Sequence, residues 1–133
     1  MRVSVVTPDQ SYFDGEADTV TLQAVDGEIG ILPRHAPLIA RLGHGVARIS
    51  TGGKVSRIAV YGGFVKVQDD VVNVLAGGAA TSEGTTAADA EQALEQAVKQ
   101  LEQVRAAGDK AALPEAEEQL RRAQTLQKLL TQA

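Results

Sequence analysis

The chain has 133 residues, 44% of them hydrophobic and 23% charged, with a formal net charge of −4 and a pI of about 5.1. An acidic balance excludes broad nucleic-acid binding, which needs a basic face. The lack of Cys excludes disulfides and thiolate metal sites, and two His alone rarely make a metal site.

No apolar run nears the ~20 residues of a membrane-spanning helix. The pattern enters a strand at Met1-Arg2-Val3 and leaves no room for a signal or transit peptide, so a soluble, cytosol-facing protein is expected. With no Trp, two Tyr and two Phe, the core must be built from Val, Ile, Leu and Ala.

Arg2 to Thr7 reads as a strand ended by the turn Thr7-Pro8-Asp9-Gln10, where Pro pre-sets φ. Tyr12 and Phe13 mark a second strand, closed by Asp14-Gly15. From Asp18 to Val25, apolar Val20, Leu22 and Ala24 alternate with Thr19, Thr21 and Gln23, the period of a half-buried strand. Asp26-Gly27 suits a tight hairpin turn, and Ile29, Ile31 and Leu32 then enter the core as a strand. Pro33 and Pro37 bracket Arg34-His35-Ala36 and predict a stiff, extended corner. Such a corner loses little entropy when a partner docks on it.

Leu38 to Leu42 continues as strand, Gly43-His44-Gly45 is expected to turn it, and Val46 to Ser50 alternates again. A hairpin loop follows at Thr51-Gly52-Gly53-Lys54. Strands are then expected over Val55–Tyr61, Gly63–Gln68 and Val71–Ala76, with Asp69-Asp70 as the last turn. Gly62-Gly63, between two strand halves, signals a bulge or a close backbone approach. Many short strands at close spacing predict a flattened β-sandwich or barrel over residues 1–84.

The pattern then changes. Gly77-Gly78 and residues 81–86 read as a polar hinge, and beyond it strong helix formers dominate. Thr86 and Asp89 suit a capping box. Ala90, Leu94, Ala97, Val98, Leu101 and Val104 share one helical face, and Gly108 ends the helix. Pro114 fits the first turn of a second helix, with Leu113, Ala116, Leu120, Ala123 and Leu130 on its apolar face. Acids early and Arg121, Arg122 and Lys128 later complement the helix dipole. Residues 85–133 are therefore expected to form an antiparallel two-helix hairpin, docked on itself and on the sandwich by only a few kcal/mol because its faces are rich in Ala.

Five pieces in order, Val6-Thr7-Pro8, Phe13-Asp14-Gly15-Glu16-Ala17, residues 26–38, Gly62–Val67 and Val72–Ala76, resemble the epsilon-subunit family of F-type ATP synthases, called delta in mitochondria. The central piece, Asp-Gly-Glu-Ile-Gly-Ile-Leu-Pro-Arg-His-Ala-Pro-Leu, carries the resemblance furthest. It implies an N-terminal flattened β-sandwich and a non-catalytic rotor subunit on the cytoplasmic face of the bacterial inner membrane, held there only through the complex.

The resemblance also implies partners. His35, Ala36 and Pro37 would meet the gamma subunit, with a solvated loop histidine as the plain alternative. Asp26 and Glu28, at the tip, would rest on the c-subunit ring, where a turn kept soluble by its acids is the plain reading. Arg121, Arg122 and Lys128 would face an acidic loop of the catalytic alpha/beta subunits in an extended, inhibiting state of the helices; otherwise they are a solvated face.

Some relatives bind ATP through Ile/Leu-Asp-x-x-Arg-Ala. Here the run is Ala88-Asp89-Ala90-Glu91-Gln92-Ala93, which keeps Asp89 but puts Gln92 where the Arg stands. An Arg fork is hard to replace at a phosphate, although Arg121 or Arg122 could reach one. ATP is therefore expected only as a weak regulatory ligand, with no other cofactor, no metal and no catalytic residue. His35 has no nucleophile or acid that pairs with it recognisably, and no glycine run has phosphate-loop form. The rival classes are a nucleotide-sensing module acting outside the synthase and a small β-sandwich enzyme, the latter without a constellation to support it.

Overall fold

The computed structural model describes residues 1–83 and 85–131, so the expected boundary at Gly84 and positions 132 and 133 lie outside the described residues. The chain divides into two units, Met1–Thr81 and Ser82–Ala133.

The first unit carries β1 (Arg2–Val6), β2 (Ser11–Glu16), β3 (Thr19–Ala24), β4 (Gly27–Ile31), β5 (Leu38–Thr51), β6 (Lys54–Gln68), β7 (Val71–Ala76) and β8 (Ala79–Ala80). Hydrogen bonds link them in the order β2-β1-β7-β6-β5-β3-β4, with β8 also on β6. The β1–β7 pair is parallel and the others are antiparallel.

Two long strands turn this one ladder into a sandwich. The first half of β5 and the second half of β6 pair with each other, and β6 there also pairs with β7. The other halves pair with each other and continue to β3 and β8. Val3, Val5, Val65, Val72 and Val74 of one layer are fully buried in one core with Val20, Leu22, Ile31 and Ile49 of the other. Each such side chain contributes roughly 1.5–3 kcal/mol on burial, so β-branched residues at period two are enough to fix which face points inward.

The expected turn at Gly43-His44-Gly45 is not there. β5 runs through it, with His44 opposite Tyr61 and Gly45 opposite Val60, and the His44 and Tyr61 rings are 6.0 Å apart. The irregularity appears instead against β3, where the register slips between Thr21 and Ala24. Gly45 is needed because a Cβ on it would overlap the Gln23 side chain.

At Gly62-Gly63 the β5–β6 register goes from Leu42–Gly63 to His44–Tyr61 without a shift, while the β6–β7 pairing ends at Gly63. Gly62 serves by its φ of 73°, and Gly63 by close approach as well. Gly63 has φ 119°, and a Cβ there would strike the Leu75 carbonyl and the Ala76 backbone. Leu32 also departs from expectation: β4 ends at Ile31, and Leu32 is 60% exposed.

The second unit holds α1 (Ala87–Ala107) and α2 (Leu113–Thr131), packed against one another. The expected capping box at the start of α1 is formed: Asp89 N–H donates to Thr86 Oγ1 at 3.1 Å and Thr86 N–H to Asp89 Oδ2 at 3.2 Å. Gly108, at φ 65°, closes the helix. Asp109 Oδ1 accepts from the Ala111 and Ala112 N–H groups and shapes the connection, and Pro114 lies in the first turn of α2.

The apolar faces are rotated slightly from expectation. Ala90, Ala97 and Leu101 are buried but Val98 is exposed, and α2 buries Ala116, Ala123, Thr125 and Leu129 rather than Leu130. Thr125 is accommodated because its hydroxyl donates to the Arg121 carbonyl at 2.8 Å.

Candidate functional site

The corner between β4 and β5 is a turn, not the extended piece that two prolines predict. The His35 N–H donates to the Leu32 carbonyl at 3.2 Å, closing Leu32-Pro33-Arg34-His35 on itself. Pro33 suits the second place of such a turn, but the third place has φ 63° and holds Arg34 where glycine is usual. His35 is half-buried, with Nδ1 2.8 Å from the Ala36 carbonyl oxygen; that arrangement puts the ring proton on Nδ1. Ala36 and Pro37 are exposed.

Beside this corner lies a surface the sequence analysis missed. Register places Ile39 and Arg41 of β5, Phe64 and Lys66 of β6, and Leu75 of β7 on one outer sheet face. Ile39 is 72% exposed, Phe64 54% and Leu75 55%. Scattered exposed leucines are ordinary, but half of a chain's phenylalanines on one outward row with an Ile and a Leu is a patch. A shallow groove lined by Pro37, Leu38, Ile39, Lys66, Val67 and Gln68 joins the patch to the corner. The signal was present in the alternation, which puts Phe64 and Leu75 out of phase with the buried valines.

At the β3–β4 turn Asp26 is exposed. Glu28 is engaged: Gln23 Nε2 donates to its Oε2 at 3.1 Å and Arg48 lies 3.3 Å from its Oε1. An outside cation at Glu28 must therefore share the carboxylate with Arg48, and an exposed pair of this kind is worth only about 0–1 kcal/mol.

On the hairpin, Arg121 and Arg122 both reach Glu118, at 3.4 and 2.8 Å, the spacing of one helical turn. Lys128 is exposed in the last turn of α2. Asp89 serves the cap described above, and Gln92 is exposed. Gln92 lies 15 residues before the end of α1 and Arg121 eight after the start of α2. In a hairpin that turns back on itself this offsets them by about 10 Å along the helix axes, so the residues considered for ATP are not gathered at one level. Among the described residues no group of three His, Asp or Glu is placed to hold a metal ion, and no helix is long and apolar enough to cross a membrane.

Residues 1–82 match the family model described as ATP synthase, Delta/Epsilon chain, beta-sandwich domain. The chain is 43% identical over 105 residues to the ATP synthase epsilon chain of Halalkalibacterium halodurans, covering 79% of each. It is 40% identical over 101 residues to that of Bacillus subtilis, covering 76% of each. A chain of the Euglena gracilis mitochondrial ATP synthase, OSCP/F1/c-ring, superposes with a TM-score of 0.81 at 24% identity, over 96% of this chain and 79% of that one. At that identity the superposition speaks to the fold.

Proposed function

The chain belongs to the ATP synthase delta/epsilon family, and from that premise we propose that it is the epsilon subunit of a bacterial F-type ATP synthase. In this role it is a non-catalytic part of the central stalk on the cytoplasmic face of the inner membrane. It links gamma to the c-ring and restrains ATP hydrolysis through its C-terminal helices. The observation that carries the reading is the match over residues 1–82 together with a preformed corner in the stretch that resembles the family most.

His35, Ala36 and Pro37 meet gamma, and the row of Ile39, Phe64 and Leu75 extends that surface. Its apolar side chains favour burial, while Arg41 and Lys66 select an acidic rim on the partner. The c-ring contact falls more on Asp26 than on Glu28, because Arg48 already occupies Glu28. His35→Glu with Phe64→Lys should weaken binding to purified gamma at least ~100-fold, about 2.7 kcal/mol. Binding within twofold of the parent would remove this docking surface.

For regulation, α1 and α2 are rich in residues with high helix propensity and can persist when separated. Arg121, Arg122 and Lys128 then engage the acidic catalytic subunits, the first two by exchanging Glu118 for a carboxylate on the partner. Gln92 in the place of an Arg makes ATP a weak brake on this change. Hydrolysis by the assembled complex should rise on deleting residues 86–133, by a factor that depends little on ATP between low and millimolar concentration. Equal rates with and without the helices would end the inhibitory reading.

A further inference from the structure

The β6–β7 hairpin turns on two residues, Asp69 and Asp70, with φ 54° and 63°, and its flanking residues Gln68 and Val71 pair directly. This is the form that two-residue hairpin loops favour, and Asn or Gly would serve it better than Asp. Both aspartates have the same backbone task, yet their side chains differ. Asp70 Oδ1 accepts the Arg34 N–H at 2.9 Å, across 36 residues of sequence. Its Oδ2 lies 3.8 Å from the Met1 amine, and its carbonyl accepts the Arg2 N–H at 3.1 Å.

The Arg34 amide belongs to the central peptide of the Leu32–His35 turn, whose closing bond uses the His35 N–H instead. That peptide is set by φ 63° at a residue with a Cβ, a conformation that costs about 1–2 kcal/mol and persists only where something outside the turn holds it. The carboxylate of Asp70 is that outside hold, since a charged acceptor makes the stronger kind of hydrogen bond.

We propose that Asp70 is a positioning residue for the docking corner: it fixes the Pro33–Arg34 peptide and so presents His35, Ala36 and Pro37 in one conformation. This rests on the reading that the corner docks on gamma. A partner that binds one conformation loses apparent affinity in proportion to that conformer's population, so loosening the corner weakens docking without removing any contact residue.

The test uses the full chain. Asp70→Ala should speed amide exchange at Arg34 and weaken binding to purified gamma by about three- to tenfold, the size of one hydrogen bond at an exposed site. Asp69→Ala, which bears a like backbone penalty in the same turn but does not touch Arg34, should leave both readouts within about twofold of the parent. Asp70→Asn keeps an acceptor oxygen and should fall between. The proposal is overturned if Asp70→Ala and Asp69→Ala behave alike in both readouts. Should His35→Glu leave gamma affinity unchanged, the docking reading fails by itself, and the Arg34 exchange rate still decides whether Asp70 holds the turn.

Discussion

The sandwich and the helical hairpin draw on the same few apolar residue types and hold themselves by different means. Every one of the largest fully buried side chains, Val3, Val5, Val20, Leu22, Ile31, Ile49, Val65, Val72 and Val74, belongs to the sandwich. Among the described residues, the hairpin buries Ala90, Ala97, Ala116 and Ala123 and only two large aliphatics, Leu101 and Leu129. Sandwich pairing spans long sequence distances, Arg2 to Val71 at the extreme, whereas the hairpin is secured by local devices at Thr86, Gly108 and Asp109. Deep non-local burial produces a unit that opens as a whole; shallow Ala faces with good caps produce helices that can part and remain helices. The proposed docking surface lies on the first kind of unit and the proposed moving element on the second.

That contrast can be broken most forcefully at Gly63. Gly63→Ala must place a methyl against the Leu75 carbonyl at φ 119°, so it should cost about 3 kcal/mol or more. The sandwich melting temperature, followed by near-ultraviolet absorbance of Tyr12 and Tyr61, should fall by about 10–20 °C. A change under a few degrees would mean that the Leu75–Ala76 backbone gives way to the methyl at little cost. Next in size is Thr86→Ala, which removes half of the capping box and should cost about 1 kcal/mol of α1 stability. Amides in the first turn of α1 should then exchange about fivefold faster, while those of Val65 and Val74 keep their rates; equal loosening in both units would sink the contrast. The smallest effect is expected from stopping the chain after Gly84. The remaining strands should still melt in one cooperative step, within about 5 °C of the parent.

The sequence made β1, β3 and β7 plain, because alternating Val and Leu at period two has one burial solution. β5 was hidden by Gly43-His44-Gly45, where turn composition was outweighed by thirteen cross-strand pairs with β6 and by the space Gly45 leaves for Gln23. Ala79–Ala80 offered no strand pattern and became β8 only by continuing the register of β7 on β6. The helices were legible from their caps, but Ala-rich faces specify rotation weakly, which is why Leu129 and not Leu130 is inside. At the proposed docking corner the two prolines located the segment, while its turn is tied to Asp70 through the Arg34 N–H, a contact between residues 36 apart that no local pattern encodes.

The parallel pairing of β1 with β7 has a consequence for the chain as it is made. Val3 and Val5 leave the ribosome long before Val72 and Val74, the strand they must lie beside. At about 5–20 residues per second, the delay of some seventy residues is about 4–14 seconds. Through that interval β1 can pair with β2 but has an open edge with two uncovered valines, a template for wrong partners. The β5–β6 hairpin, closed by Gly52-Gly53, can form within microseconds of its own synthesis. Birth of this subunit therefore proceeds from the middle outward, and its first strand is among the last to find its place.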